Sequence, residues 1–359
     1  MGQAAMLVTV LHCVSLARAL GEGHRDDISP HDEQHASWVR SFAGTQFLFQ
    51  SNAACPPVEA SELGSTTRQR NDRPVVFLHL HKAGGTTICD LAKQNGETLD
   101  EVQPHENCAI KGDGNWLDKN GIYAGYSRSC AARAEEARTH SFMAIERWMD
   151  AEMCDDLAQY AVVLRDPIDR LISNTLFEQK VMHWATDTAS ILEMIAPNAS
   201  VHLSGDRADH PSEMISQGTA AYDNFLVRTL AGPEAFALPA GQLTRAHLDE
   251  AKRRLARFDV VMVLERLDEQ GPAQLSHFLG WDRLELPRSM AGGGADAAQP
   301  FSDEQLAVLK RANAFDAELY CYGQKLAEAR TADALASRTS QSHAARAGHA
   351  SGSRTLLAS

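Results

Sequence analysis

Short, almost wholly apolar runs separated by helix-like stretches dominate the hydrophobic pattern between residues 73 and 330. Residues 74–80, 160–164 and 258–264 are such runs, and residues 141–145 form a weaker one. An apolar run without alternation predicts a parallel strand that is covered on both faces. Because helical spacing fills the segments between the runs, the pattern predicts an α/β fold with a central parallel sheet flanked by helices. Helices are predicted at residues 86–94, 169–180, 222–230, 244–257 and 302–330.

The two ends of the chain lack this periodicity. Residues 20–72 are polar and irregular, as in a stem or linker, and residues 331–359 have a composition typical of a disordered tail. Residues 1–19 contain an apolar run that ends in Ala17-Arg18-Ala19, which fits a secretory signal peptide or a short anchor. The pattern therefore predicts one folded domain over residues 73–330.

Cysteine and asparagine positions agree with entry into the secretory pathway. Six cysteines follow Cys13, and this even number permits up to three disulfides, with 15 connectivities, in an oxidising compartment. Cys89 lies on a predicted helix directly behind a glycine loop, and we interpret it as a buried thiol. Asn198 begins a glycosylation sequon. The other five cysteines are Cys55, Cys108, Cys130, Cys154 and Cys321.

Composition and charge exclude some classes of binding partner. The 359 residues include 34 Lys+Arg and 47 Asp+Glu, so the formal net charge is −13. A nucleic-acid binder needs a basic face for counterion release, and the sequence contains no such cluster of suitable length. After the first twenty residues no apolar run approaches the roughly 20 residues that span a bilayer. A membrane is therefore an expected partner only through the N-terminal segment.

The first candidate chemistry follows the strand predicted at residues 74–80. Residues 81–87 read HKAGGTT, and the pair Gly84-Gly85 allows the backbone to turn tightly around an anion. The start of the next helix adds a partial positive charge. Lys82 precedes the glycines, whereas the Walker motif places its lysine after them. The segment predicts a phosphate-binding loop, with an ordinary glycine-bearing turn as the alternative.

A second group of candidate residues follows the strand predicted at residues 160–164. Arg165 stands at the carboxyl end of this strand, where open α/β sheets bind their ligands. Ser173 lies on the second turn of the following helix and can face the same edge. An arginine and a serine that converge there suit a second phosphate. A structural clamp between Arg165 and Asp166 or Asp169 is the alternative.

Together, the two segments resemble the donor-binding motifs of carbohydrate sulfotransferases. VVFLHLHKAGGTTICDL, at residues 75–91, looks like the 5′-phosphosulfate loop of that family. YAVVLRDPIDRLISNTLF, at residues 160–177, looks like its 3′-phosphate motif, and the order is the same. The likeness is greatest to the heparan sulfate 2-O- and 6-O-sulfotransferases and extends more loosely over residues 73–328. It implies a P-loop-like three-layer sandwich and a location in the Golgi lumen.

The resemblance also implies a reaction. The sulfuryl group of 3′-phosphoadenosine 5′-phosphosulfate (PAPS) would pass to a hydroxyl of a glycan or glycoconjugate, with no metal required. Transfer of this kind is in-line and loose, so catalysis depends on positioning and charge stabilisation. Lys82 is expected at the leaving oxygen, and Arg165 and Ser173 at the 3′-phosphate. The residues expected to hold the 5′-phosphate are Ala83, Gly84, Gly85, Thr86 and Thr87.

The acceptor hydroxyl must lose a proton, so a general base is expected near the sulfur. The resemblance points to a histidine just before a strand, and His140 occupies the comparable place. His105 and Glu146 are the alternatives. His79 and His81 are expected on opposite faces of the first strand, with His79 in the core and His81 near the donor.

Two other functions share parts of this pattern. A small-molecule kinase also needs a glycine-rich loop, but Lys82 lies on the wrong side of the glycines. No acidic magnesium ligand ends a strand in Walker B fashion, since Arg165 and Glu265-Arg266 follow those strands. A non-catalytic carbohydrate-binding protein could retain the fold, although Lys82, Thr86, Arg165 and Ser173 are all intact. The basic cluster at residues 252–257 is interpreted as a solvated helix face, which favours a neutral or weakly charged glycan as acceptor.

Overall fold

The structure, a computed structural model, describes most of the chain between residues 55 and 352. The signal or anchor predicted at residues 1–19, the sequon at residues 198–200 and His105 lie outside the described residues. Among the described residues, no helix is both long enough and apolar enough to cross a membrane. The described ranges are 73–100, 108–110, 127–183, 187–197, 218–285 and 299–352, together with Cys55, Val58 and Leu63.

Four short strands form one parallel sheet, at the positions of the four apolar runs. They are β1 (Val75–Leu78), β2 (Phe142–Ile145), β3 (Gln159–Leu164) and β4 (Val260–Val263). Their order across the sheet is β2-β1-β3-β4, and every neighbouring pair is parallel. The chain leaves β1 toward β2 on one side and leaves β3 toward β4 on the other, so the topological switch point lies between β1 and β3.

Helices fill the connections, which confirms the α/β class with a central parallel sheet. Two of the connections carry 3₁₀ turns, at Thr219–Ala221 and Leu264–Arg266, and a π-helical turn spans Leu275–Leu279. In chain order the α-helices of the described residues are α1 (Gly85–Gln94), α2 (Cys130–Glu136), α3 (Pro167–Lys180), α4 (Thr188–Met194), α5 (Phe225–Ala231), α6 (Pro233–Phe236), α7 (Arg245–Leu255), α8 (Leu267–Gln274), α9 (Asp303–Ala312) and α10 (Ala314–Gly352).

Both faces of the sheet are buried, which explains why the strand sequences are continuous apolar runs. Val76 and Leu78 of β1 enter one hydrophobic cluster, which also contains side chains of α5, α7 and α10. Val75 and Phe77 enter a second cluster, with side chains of α1 and α8. Helices therefore pack on each face and leave the two edges of the sheet, where strands begin and end, as the sites where polar groups collect.

The helix predicted at residues 302–330 is two helices, because the chain breaks at Asn313. Ser302 and Gln305 form the predicted capping box at the start of α9. The Asn313 side chain donates to the Tyr222 carbonyl at 2.8 Å and accepts from the Asn224 amide at 2.8 Å. These bonds attach the break to the start of α5, a constraint that sequence periodicity does not reveal.

The folded domain extends beyond both predicted boundaries. Cys55 is disulfide-bonded to Cys321 of α10, and Val58 and Leu63 pack against the first hydrophobic cluster, so part of the predicted linker belongs to the domain. The prediction of a disordered tail from residue 331 is also corrected, because α10 continues to Gly352 and Ala334 is fully buried. Alanine has the highest helix propensity, so an alanine-rich segment can extend a helix that already packs on the domain.

All six cysteines after Cys13 form disulfides: Cys55–Cys321, Cys89–Cys108 and Cys130–Cys154. The interpretation of Cys89 as a free thiol was therefore wrong. Ala109 forms a parallel bridge with Ala144 of β2, and this pairing brings the Cys108 Cα to 5.6 Å from that of Cys89. Three disulfides are typical of a protein that folds in an oxidising compartment.

Candidate active site

The two predicted phosphate-binding motifs meet at the topological switch point. Arg165 follows β3, and its Nη1 donates to the carbonyl oxygen of Lys82, which follows β1, at 2.9 Å. In the part of the chain that the structure describes, neither Lys82 nor Arg165 forms a salt bridge with a carboxylate, so the predicted alternative of a clamp to Asp166 or Asp169 is not formed there. The two cations thus lie next to each other, and neither has a paired carboxylate among the described residues.

The loop that carries Lys82 turns through the left-handed region twice. Lys82 has a φ of 63° and Gly84 a φ of 80°. The Ala83 amide donates to the Leu80 carbonyl and the Thr87 amide to the Gly84 carbonyl, each at 3.1 Å. These two amides serve the turn, which corrects the expectation that every amide from Ala83 to Thr87 holds a phosphate. Of the predicted cradle residues, Gly84, Gly85 and Thr86 remain as backbone candidates.

The start of α1 has no side-chain cap. Gly84 is the N-cap residue of α1 and provides no side-chain cap, whereas Asp166 caps α3 by accepting from the amides of Ile168 and Asp169. Uncapped amides and the helix dipole make such an N-terminus suitable for a phosphate or sulfate. Of these two helices, α1 is therefore the one whose N-terminus has no side-chain cap.

Gly85 is required because a buried histidine approaches its backbone. A Cβ at position 85 would lie 1.7 Å from Cδ2 and 2.0 Å from Nε2 of His79, whose ring is 4% exposed. A Cβ at position 84 would lie 2.7 Å from Cδ1 of Leu264, in addition to the positive φ there. Each glycine of the pair is thus needed for a different steric reason.

Replacing Gly85 with alanine should lower the free energy of unfolding by about 3 kcal/mol, because the buried His79 ring cannot move without repacking. Urea denaturation measures this change. The matched control is the same substitution in a protein that carries His79→Ala, where the added methyl should cost less than about 1 kcal/mol since the ring is absent. Equal costs in the two backgrounds would show that the ring is not the obstacle.

Glu146 lies between two histidine rings at the same edge of the sheet. It directly follows β2, and its Oε1 is 2.9 Å from Nδ1 of His81, while its Oε2 is 3.6 Å from Nδ1 of His79. The expectation that His79 and His81 lie on opposite faces was wrong. Residues two apart in a strand point to the same face, so strand geometry gave no ground for that expectation, and β1 in any case ends at Leu78.

His81 is held in the neutral form that a general base requires. Burial, with the neighbouring cations Lys82 and Arg170, holds the pKa of His81 well below its usual range, and Asn174 acts weakly in the opposite direction. The ring is therefore neutral at pH 7. When Nδ1–H donates to Glu146, Nε2 carries the lone pair, which is how a carboxylate orients a histidine for proton transfer.

His140 is at the opposite edge of the sheet. It precedes β2, which runs parallel to β1, so it lies at the amino edge while Lys82 lies at the carboxyl edge. Its Nε2 is 3.1 Å from Oδ1 of Asp100, and its Nδ1 is 2.9 Å from Oγ1 of Thr139. The expectation that His140 is the general base is therefore corrected: its contacts join the turn before β2 to the segment that follows α1. Glu146, one of the alternatives, is the residue that reaches the site.

Helix α3 brings further side chains to the carboxyl edge. The Nζ of Lys82 lies 4.2 Å from the ring centroid of Phe177, and the His81 ring meets the same ring edge-on at 5.4 Å. Ser173 is half-buried and lies one turn before Phe177 on this helix. It thus shares a helix face with a residue that contacts Lys82, although no contact between Ser173 and Arg165 brings those two together directly.

Arg170 forms the buried end of the same face. Its guanidinium is 1% exposed, donates through Nη2 to the Ala221 carbonyl, and lies 4.4 Å above the ring of Phe225. Burial lowers the pKa of Arg170 to about 10, so it remains charged at neutral pH. The carboxyl edge between β1 and β3 therefore carries the three cations Lys82, Arg165 and Arg170.

Sequence reasoning missed two features of the site. The first is the pairing of His81 with Glu146. The position of Glu146 could have indicated it, because Glu146 is the first residue after a strand of the parallel sheet, as Arg165 is. The second is Phe177, which stands four residues after Ser173 and therefore on the same helix face.

No group of three or more His, Cys, Asp or Glu side chains within the described ranges has the arrangement of a metal site. No protein-family model matches the chain, and no curated protein matches its sequence. The site is therefore interpreted from its own geometry.

Proposed function

We propose that the chain is a PAPS-dependent carbohydrate O-sulfotransferase with a P-loop-like architecture. The observation that carries the proposal is the meeting of Lys82 and Arg165, one from each motif, at the switch point of a parallel sheet. Open α/β folds bind nucleotides in this crevice. A polyanionic nucleotide would supply the anionic partners that both side chains lack among the described residues.

The hydrogen-bond donors of the two motifs suit a nucleotide with phosphates at two positions. In this proposal the uncapped start of α1, with Gly84, Gly85 and Thr86, holds the 5′-phosphate, and Arg165 and Ser173 hold the 3′-phosphate. The positive φ of Gly84 allows the tight turn that brings the backbone of the loop to the start of α1. The resemblance of the two motifs to sulfotransferase motifs supplies the choice of PAPS over other nucleotides.

Different residues act on the leaving group and on the acceptor hydroxyl. A new S–O bond forms to the acceptor oxygen, the S–O bond to the 5′-phosphate breaks, and the acceptor proton leaves to a base. Lys82 stabilises the negative charge that develops on the leaving phosphate. The pair Glu146 and His81 accepts the proton, with His81 oriented by the carboxylate.

A neutral or weakly charged glycan is the proposed acceptor. The basic cluster at residues 252–257 is partly neutralised by acidic partners, because Lys252 lies 2.7 Å from Glu318, Arg254 lies 2.5 Å from Glu250, and Arg257 lies 2.5 Å from Asp155. Cations that are already paired contribute little attraction to a polyanionic chain. The proposed place of action is the Golgi lumen, which the three disulfides suit.

Transfer of radiolabelled sulfate from PAPS to a panel of neutral and acidic glycans tests the proposed function. Labelled product is expected with at least one neutral glycan, and without added metal. Binding of adenosine 3′,5′-bisphosphate with no transfer to any glycan would favour the non-catalytic alternative. ATP-dependent phosphorylation of a small molecule would favour the kinase, and either result would overturn the proposal.

Arg165→Ala tests the 3′-phosphate site separately. We expect it to weaken binding of adenosine 3′,5′-bisphosphate about 30-fold, because a charge-assisted hydrogen bond is lost. Binding of adenosine 5′-phosphate, which lacks the 3′-phosphate, should change little. Isothermal titration calorimetry measures both affinities, and equal losses for the two nucleotides would contradict the assignment.

A further inference from the structure

We propose that Phe177 is a positioning residue that holds the ammonium group of Lys82 against α3 until a nucleotide binds. The contact is the one described above, in which Nζ lies 4.2 Å from the ring centroid. The identity of the nucleotide rests on the proposed function, while the contact itself does not. Phe177 lies outside both phosphate sites, so its effect is exerted through Lys82.

The ring is the partner that orients the Lys82 ammonium in this structure. No carboxylate in the described part of the chain pairs with Lys82. A cation over an aromatic face is attracted by the ring quadrupole, and the attraction is larger when both groups are partly removed from water. Burial, with Arg165 nearby, lowers the pKa of Lys82, which agrees with an ammonium group partly withdrawn from solvent.

The backbone of Lys82 is held in place while its side chain has a choice of partners. The residue adopts a φ of 63°, and its carbonyl accepts from Arg165. The Ala83 amide, which follows it, donates to the Leu80 carbonyl. Only side-chain rotations are therefore needed to move the ammonium from the ring to a ligand.

The two partners of Lys82 belong to different helices. Phe177 is on α3, whereas the uncapped amides that suit a phosphate are at the start of α1. A phosphate at α1 must draw the ammonium from the ring, so the energy of the ring contact is lost when the nucleotide binds. The contact therefore stabilises the nucleotide-free state and opposes binding, while it keeps Lys82 at the mouth of the site.

Removal of the ring should increase the affinity for the nucleotide, and not decrease it. Phe177→Leu retains apolar volume but removes the quadrupole, so it should tighten binding of adenosine 3′,5′-bisphosphate about fivefold. Phe177→Tyr retains an aromatic face and should bind like the wild type. In a Lys82→Ala protein, Phe177→Leu should have no effect on the affinity. Isothermal titration calorimetry on the four variants measures these affinities, and Phe177→Met replaces the leucine variant if that protein does not fold.

If the Phe177 ring had a merely structural role, its replacement would weaken nucleotide binding. Weaker nucleotide binding in Phe177→Leu, equal in the presence and absence of Lys82, would overturn the proposal. Unchanged binding would overturn it as well, because the ring contact would then persist in the complex or contribute nothing.

A second measurement needs no nucleotide and separates this inference from the proposed function. Acetylation of Lys82 by acetic anhydride, quantified by mass spectrometry against the exposed Lys93, reports how well the ammonium is shielded. Phe177→Leu should raise the relative acetylation rate of Lys82 severalfold, and Phe177→Tyr should not. If adenosine 3′,5′-bisphosphate fails to bind the wild type, the proposed function fails, but an increased acetylation rate still supports the ring contact. An unchanged rate would overturn it.

Discussion

Replacing Lys82 with alanine should reduce the rate of sulfuryl transfer about 10³-fold, which is the largest effect expected of any single substitution here. The ammonium is the cation next to Arg165 at the switch point that the proposal assigns to the leaving phosphate. The loss should fall mainly on kcat, because charge on the leaving oxygen develops in the transition state. Single-turnover transfer of labelled sulfate measures the chemical step directly.

The matched control for this substitution is Lys93→Ala. Lys93 is an exposed lysine in the last turn of α1, at the far end of the helix that begins in the phosphate loop. The substitution removes the same charge from the opposite end of the segment that contains the loop and α1, without touching the site, so transfer should be unchanged. A Lys82→Ala protein that transfers sulfate as fast as the Lys93→Ala protein would refute the role of Lys82.

Replacing Glu146 with glutamine should reduce kcat about 10²-fold. The amide has nearly the same size as the carboxylate, so the contact with His81 can persist, but it cannot stabilise the positive charge that His81 acquires with the acceptor proton. Initial rates of labelled-sulfate transfer at saturating PAPS measure this loss. Binding of adenosine 3′,5′-bisphosphate should be unaffected, because the pair acts on the acceptor side.

The pH dependence of transfer follows from the same pair. His81 acts as a base only when it is neutral, and its folded pKa is lowered well below 6.5 by burial and by the adjacent cations. The wild-type rate should therefore stay level as the pH falls to 6.5 and decline only at lower pH. A decline centred above pH 6.5 would contradict His81 as the group that titrates.

His140→Ala is the control for the general base. His140 is a histidine at the amino edge of the sheet, bonded to Asp100, so its loss should leave the pH profile and kcat unchanged. If His140→Ala lost as much activity as Glu146→Gln, the assignment of the base to the carboxyl edge would be wrong.

Local pattern was sufficient to predict the framework of the site. Continuous apolar runs predicted the strands, because a strand buried on both faces has no polar side. Glycine and lysine at residues 82–85, and Arg165 after the third strand, predicted where anions would bind, because strand ends of a parallel sheet share one edge. These features depend on neighbours close in the chain or on a rule that holds for every parallel sheet.

The general base could not be chosen in the same way. His140 and Glu146 stand at opposite ends of one four-residue strand, and a histidine is the more frequent base, so residue type favoured the end of the sheet away from Lys82. Strand direction alone places Glu146 beside Lys82, but its contact with His81 depends on how the chain turns after Leu78. In that turn the His79 ring packs against the backbone of Gly85, a contact that no sequence pattern records.

Sequence alone was enough for the α/β class and the parallel sheet, and it located the two motifs for which anion binding is predicted, because each rests on short-range periodicity or on residues adjacent in the chain. Contacts between residues distant in the chain required the folded structure. The pairing of Cys89 with Cys108, the attachment of Cys55 to α10, and the ring of Phe177 over Lys82 are such contacts. Each depends on how helices pack across the sheet, which is the sum of many weak interactions that no local pattern records.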